Sequence, residues 1–150
     1  MNESPGTVLG FDFGKKRIGI AVGQTLTADA NPLTTLPVRN EQPDWDAIGR
    51  LIQRWRPARL VVGLPVNMDG SEHALASAVK NFAAQLQSRY TLPVHLVDER
   101  LSSHEAQRIA AGMGGRNVPH SRTAKETVDR IAAQLILETW LSQQTKARPT

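Results

Sequence analysis

Alternating apolar and polar positions predict three strands in the first quarter of the chain. Residues 7–13 favour a strand, residues 14–17 a hairpin turn, and residues 18–25 its partner strand. A third, short strand is predicted over residues 33–38. Because short links join the three strands, we expect an antiparallel meander.

The apolar spacing then becomes helical and alternates between helix and strand. Positions 45–55 place apolar residues on one helical face, and Pro57 should end that helix. A buried strand is expected over residues 59–64, a second amphipathic helix over 75–90, and another strand over 94–98.

Two further helices are predicted near the C-terminus. Ser102 with Glu105, and Thr123 with Glu126, fit capping boxes at their starts. The last helix, over about residues 124–141, is apolar on nearly all sides between positions 131 and 137 and should pack into the body of the domain. The order β-β-β-α-β-α-β-α-α favours one α/β domain over residues 1–150, with a core of about residues 7–141.

Composition narrows the possible chemistry. The chain has no cysteine, which excludes disulfides, zinc-thiolate sites and cysteine catalysis. No signal peptide is recognisable, and the longest apolar run, residues 60–66, is too short to span a membrane, so a cytoplasmic location is expected. The net charge of +4 permits a polyanionic partner but does not require one. Residues 100–130 hold six cations against three anions.

Asp12 is unusual because it lies inside an otherwise apolar strand. Alternation groups Val8, Gly10 and Asp12 on one face of that strand. A carboxylate in apolar surroundings is costly unless it is paired or binds metal. The alternative is a structural aspartate that accepts hydrogen bonds from the hairpin turn.

Asp98, Glu99 and Asp129 are further carboxylates in unexpected positions. Asp98 and Glu99 end a strand, where α/β sheets gather ligands, although they could also be ordinary loop acids paired with Arg100. Asp129 shares a helical stripe with apolar positions, although a first-turn aspartate also suits the helix dipole.

If these acids lie close together in the folded protein, that proximity would explain the unusual position of each of them. Carboxylate oxygens without thiolates suit Mg²⁺ or Mn²⁺, and two such ions can hydrolyse a phosphodiester bond. Cations near the acids would contact phosphates without reading the nucleotide sequence. These are Lys15, Lys16, Arg17, Arg100, Arg116, Arg122 and Lys125.

The chain resembles the YqgF/RuvX family of the RNase H-like superfamily over about residues 7–141. The segments that carry the resemblance are Phe11-Asp12-Phe13-Gly14 with Arg17-Ile18-Gly19-Ile20-Ala21-Val22-Gly23; Val62-Gly63-Leu64-Pro65 with Asn67-Met68-Asp69-Gly70; Asp98-Glu99-Arg100-Leu101-Ser102; and Lys125 with Val128-Asp129 and Ala132-Ala133. Any one of them would be unspecific, whereas four in this order and spacing are specific.

The resemblance implies an RNase H-like fold: a five-stranded mixed sheet, three strands antiparallel and then parallel ones, flanked by helices, with the Asp12 strand at its centre. It implies a nuclease dependent on Mg²⁺ or Mn²⁺, and family members are described as maturing the 5′ end of pre-16S rRNA and as relatives of Holliday junction resolvases. The family's acidic positions fall on Asp12, Glu99 and Asp129, with Asp98 as a reserve metal ligand. Many nucleases of the superfamily carry an acid on the fourth strand, and residues 60–64 contain none.

Other functions remain open at this stage. A resolvase of branched DNA would use similar metal chemistry and normally requires a homodimer, whereas a monomer would disfavour it. A non-catalytic RNA-binding assembly factor would also fit the modest charge. An ATPase of the sugar-kinase or actin type needs two such domains, and this chain has room for one. The tryptophans at positions 45, 55 and 140 fit apolar helical stripes and are predicted to be core residues.

Overall fold

The computed structural model describes residues 6–67, 69–98 and 122–147, without the side chains of residues 122, 123 and 145–147. The strands are β1 (Thr7–Phe13), β2 (Arg17–Gln24), β3 (Asp29–Arg39), β4 (Gln42–Pro43), β5 (Arg59–Leu64) and β6 (Val94–Asp98). The helices are α1 (Trp45–Trp55), α2 (Ala76–Tyr90) and α3 (Arg122–Ala147).

The strands form one mixed sheet in the order β4-β3-β2-β1-β5-β6. Strands β1, β2 and β3 form the antiparallel meander, while β5 lies parallel to β1, and β6 parallel to β5. The expected central position of the Asp12 strand is confirmed. The sheet has six strands rather than the predicted five, because the two-residue strand β4 pairs with the end of β3. Strand β3 is also longer than residues 33–38, since its backbone pairs with β2 from Asp29 onward.

Each face of the sheet carries its own hydrophobic core. On one face, Leu9 and Phe11 of β1 pack with apolar residues of α1 and α2. On the other face, Val8 of β1 packs with Ala133 and Leu137 of α3. Alternation along β1 explains this division, because adjacent side chains of a strand point to opposite faces.

The helix ends follow local signals, with one exception. The side chain of Asp44 caps α1 by accepting a hydrogen bond from the Ala47 amide at 3.0 Å. Arg56 then takes a left-handed conformation, and the chain turns at the buried Pro57. The backbone of Thr123 already lies within α3, which begins at Arg122 and extends to Ala147 rather than to about residue 141. The predicted helix starting near Ser102 lies outside the described residues.

Of the three tryptophans, Trp140 is 4% exposed and belongs to the core between the sheet and α3, called the α3 core below. Trp45 and Trp55 are only partly buried, at the border of the opposite core. No helix within the described ranges is both long and apolar enough to cross a bilayer.

Candidate active site

Asp12 lies near the end of the central strand on the face that α3 covers. It is partly buried, and it follows Val8 and Gly10 on the same side of β1. Its register partner across the hairpin is Gly19 of β2. The turn formed by residues 14–16 sets this pairing, because β1 ends at Phe13 and β2 begins at Arg17.

Asp129 lies on the buried stripe of α3, as the helical spacing predicts. One turn later on this stripe, Ala133 is fully buried against the sheet, and Ile136 and Trp140 follow it. The side chain of Asp129 itself keeps 20% of its surface exposed. The carboxylate therefore lies at the edge of the core and is partly accessible to solvent.

Gly19 brings these two acidic positions together. A Cβ atom on Gly19 would overlap the backbone carbonyl oxygen of Asp129, so only glycine allows α3 to lie this close to β2. Because Gly19 pairs with Asp12 and contacts Asp129, it joins the two acidic positions on one face of the sheet. A hydrogen bond of 2.8 Å from Thr35 to the carbonyl oxygen of Glu126 fixes the same turn of α3 against β3.

Arg17 forms an ion pair with Asp129. Its Nε donates to Oδ2 of Asp129 at 2.6 Å, across 112 positions of the chain. Burial raises the pKa of the Asp129 carboxyl above its ordinary value, and the hydrogen bond and charge of Arg17 oppose this shift. Sequence reasoning assigned Arg17 only to phosphate contacts, so this positioning contact was missed.

Asp98 lies on the other side of the sheet. Along β6, Val94 contacts the core beneath α1 and α2, whereas Val97 belongs to the α3 core. Alternation therefore places the exposed Asp98 on the face opposite Asp12 and Asp129.

The remaining predicted residues divide into two groups. Lys15, Lys16 and Lys125 are exposed; the two lysines at 15 and 16 lie in the turn after Asp12, and Lys125 lies one helical turn before Asp129. Glu99, Arg100 and Arg116 lie outside the described residues, as does the side chain of Arg122. Within the described ranges, no three histidine, aspartate or glutamate side chains are grouped closely enough to hold a metal ion.

Gly19 is the second feature that the sequence analysis missed. A signal was present, since a glycine inside a strand often marks a close backbone approach. The hairpin register predicted from the turn would also have placed Gly19 opposite Asp12.

The chain is similar to a known protein family and to named relatives over most of its length. The family model described as "RuvX: Holliday junction resolvase" matches residues 6–143. A Legionella pneumophila (strain Paris) protein is 50% identical over 138 residues, which cover 92% of this chain and 96% of the relative. A Nitrosococcus oceani protein is 48% identical over 149 residues, covering 97% and 93%. Both relatives bear the name "Putative pre-16S rRNA nuclease".

Solved structures share the fold at low sequence identity. Thermus thermophilus RuvC, solved with a Holliday junction substrate, aligns with a TM-score of 0.54 and 16% identity over 94% of this chain and 96% of that one. Fowlpox virus resolvase, solved with Holliday junction DNA, gives 0.55 and 10% over 92% and 98%. These similarities show an RNase H-like fold, and the match of the family model over nearly the whole length shows that the chain belongs to the RuvX family.

Proposed function

We propose that this protein is a metal-dependent nuclease that hydrolyses phosphodiester bonds and processes the 5′ end of pre-16S rRNA. The observation that carries the proposal is the approach of the Asp12 and Asp129 positions on one face of the sheet, through the contact at Gly19. The names of the relatives that are about half identical favour the precursor rRNA as substrate. Such a role agrees with the cytoplasmic location expected from the sequence.

The side chains of Asp12 and Asp129 are suited to binding a divalent cation. The donors are carboxylate oxygens, and burial raises the pKa of Asp129, so a nearby cation would offset the cost of its charge. Asp12 and Asp129 would hold Mg²⁺ or Mn²⁺, with Glu99, the residue after Asp98 in the chain, as the third ligand. Such ions, when bound, supply an activated water and stabilise the leaving oxygen of the phosphodiester. Asp98 is not part of this proposal, because it lies on the opposite face.

The chain's own residues position the substrate and the ligands. Arg17 holds one oxygen of Asp129 and so fixes the rotamer of that carboxylate. Lys15 and Lys16 are exposed beside the end of β1, where they would neutralise phosphates next to the bond that is cut. Binding through such contacts weakens steeply as salt rises.

A second candidate is the resolution of branched DNA. The description of the matching family model favours it. The same carboxylates would serve both substrates, so a direct comparison of substrates decides between them.

The test is cleavage of a 5′-extended 16S rRNA precursor and of a four-way DNA junction, each with Mn²⁺ and with EDTA. We expect cleavage of the RNA only with metal, and a loss of more than about 100-fold in Asp12→Asn because a metal ligand is removed. The matched control is Asp98→Asn, which changes an exposed aspartate of the opposite face and should retain wild-type activity.

Each other result changes the conclusion. Preferential cleavage of the junction would replace the RNA proposal with the DNA one. Full activity of pure Asp12→Asn protein would overturn the carboxylate mechanism. RNA binding without product in any condition would favour the non-catalytic assembly factor. Equal losses in Asp98→Asn and Asp12→Asn would contradict the assignment of faces.

A further inference from the structure

An open cleft lies between α1 and α2, on the sheet face opposite Asp12 and Asp129. Its volume is about 500 Å³. Two arginines, Arg50 and Arg89, line it together with one acidic residue, Asp46. The proposed cleavage site uses none of these residues, so the cleft is a separate feature of the molecule.

The guanidinium of Arg89 lies over the ring of Trp45. It lies 4.2 Å from the centroid of the Trp45 ring, and the Trp45 ring stacks on Phe82 at 5.6 Å. The Tyr90 hydroxyl donates to the Trp45 carbonyl oxygen at 3.1 Å and keeps the ends of the two helices together. Burial raises the pKa of the Tyr90 hydroxyl above its ordinary value.

The two arginines of the cleft outnumber its one acidic residue, Asp46. In the part of the chain that the structure describes, neither Arg50 nor Arg89 forms an ion pair with a carboxylate. A guanidinium group has a fork of donors that matches a phosphate group. The plane of such a group also accepts a stacked RNA base.

Gly49 adds an independent indication that the cleft is kept open. It lies in the middle of α1, where glycine weakens a helix relative to alanine. A Cβ atom there would meet the Tyr90 hydroxyl at 3.6 Å and Cε1 at 3.8 Å, which is ordinary van der Waals contact. Packing therefore does not require glycine. Since Gly49 lines the cleft, its missing methyl group leaves space that a ligand can use.

We propose that this cleft binds the phosphodiester backbone of a single-stranded segment of the RNA substrate, as a second contact remote from the bond that is cut. Two arginines without a carboxylate partner among the described residues, a guanidinium over an aromatic ring and an open wall are the features such a segment needs. The choice of RNA rests on the proposed function, whereas the phosphate chemistry rests on the cleft alone.

The experiment measures binding of a fluorescein-labelled single-stranded RNA by anisotropy in EDTA, so that no cleavage is needed. The variant is Arg50→Ala/Arg89→Ala. Its matched control, Arg54→Ala/Lys80→Ala, removes two exposed cations from the same helices outside the cleft lining. We expect roughly tenfold weaker binding for the cleft variant and less than about twofold for the control. The slope of log affinity against log salt should fall by about 1.4 in the cleft variant, for two phosphates of a single strand.

Gly49→Ala separates binding from stability. The methyl group should raise the Tm, because the helix gains propensity without a clash, and should weaken RNA binding slightly by narrowing the cleft beside Tyr90. Equal losses in the two double variants, or wild-type RNA affinity in the cleft variant, would overturn the proposal.

A cleavage assay on an oligonucleotide too short to reach both faces keeps the two proposals apart. With Mn²⁺, the cleft variant should cut this oligonucleotide at the wild-type rate. Wild-type cleavage combined with unchanged RNA affinity in the cleft variant would overturn the cleft alone. If the wild-type protein cuts nothing, while the cleft variant binds RNA more weakly than the wild type, only the nuclease proposal is overturned.

Discussion

Replacing Gly19 with alanine tests the contact on which the candidate active site depends. The new Cβ would overlap the carbonyl oxygen of Asp129 and lie 3.0 Å from the amide nitrogen of Arg130. Both atoms belong to the backbone of α3, so no side-chain rotation can relieve the overlap. The helix must move away from β2 by about 1 Å, and Asp129 must move with it.

The overlap determines how large a loss of stability and how large a loss of cleavage rate we expect. Overpacking costs about 1–3 kcal/mol, and a rigid backbone neighbour favours the upper end, about 3 kcal/mol. For a chain of this size each kcal/mol lowers the Tm by roughly 2–4 °C, so we expect a decrease of about 6–12 °C. A displacement of about 1 Å in a ligand can reduce the rate about 100-fold.

The assay combines thermal unfolding by circular dichroism with metal-dependent cleavage measured well below both melting temperatures. Gly49→Ala is the control for the unfolding measurement only, because the same methyl group there meets only ordinary contacts and should not lower the Tm. A Tm for Gly19→Ala equal to that of the wild type would refute the close approach of α3. A lowered Tm with wild-type cleavage would show that Gly19 serves packing and does not position Asp129.

Two further predictions concern stability. Asp44→Ala should lose about 1 kcal/mol of unfolding free energy because the Ala47 amide loses its acceptor, whereas Asp44→Asn should retain most of it; urea denaturation measures both, and equal losses would contradict the capping role. Burial raises the pKa of Glu138 and a hydrogen bond from Gln134 opposes this, so the stability that Glu138 contributes is present below its ordinary pKa of 4.5 and is lost as the pH rises through the folded value. The Tm of Glu138→Gln minus that of the wild type should therefore be larger at about pH 7 than at about pH 4, and a pH-independent difference would refute the shift.

The proposed cleavage site and the proposed RNA-binding cleft lie on opposite faces of the sheet. The α3 face carries Asp12, Asp129 and Arg17 at the edge of its core. The opposite face carries the cleft with Arg50 and Arg89. A long RNA could contact both faces, with the bond cut on one and a flanking segment held on the other.

Local patterns in the sequence were sufficient to predict most elements and the position of Asp12. Strand β1, helix α1, strand β5 and strand β6 have the predicted bounds, because alternation and helical period are properties of adjacent residues. An aspartate in an apolar strand is likewise visible without a structure. The acidic stripe position of Asp129 followed from helical spacing alone.

Only the tertiary structure decided which groups meet. The Arg17–Asp129 pair joins residues 112 positions apart, and no local pattern encodes that distance. Asp98 was a reserve metal ligand in the sequence analysis, and only the cores on either side of β6 showed which face it takes. The two-residue strand β4 is too short to leave a periodic signal, and the cleft arises from two helices with separate sequence patterns. Periodicity determines which face of an element is buried, whereas packing between distant elements determines which side chains share a site.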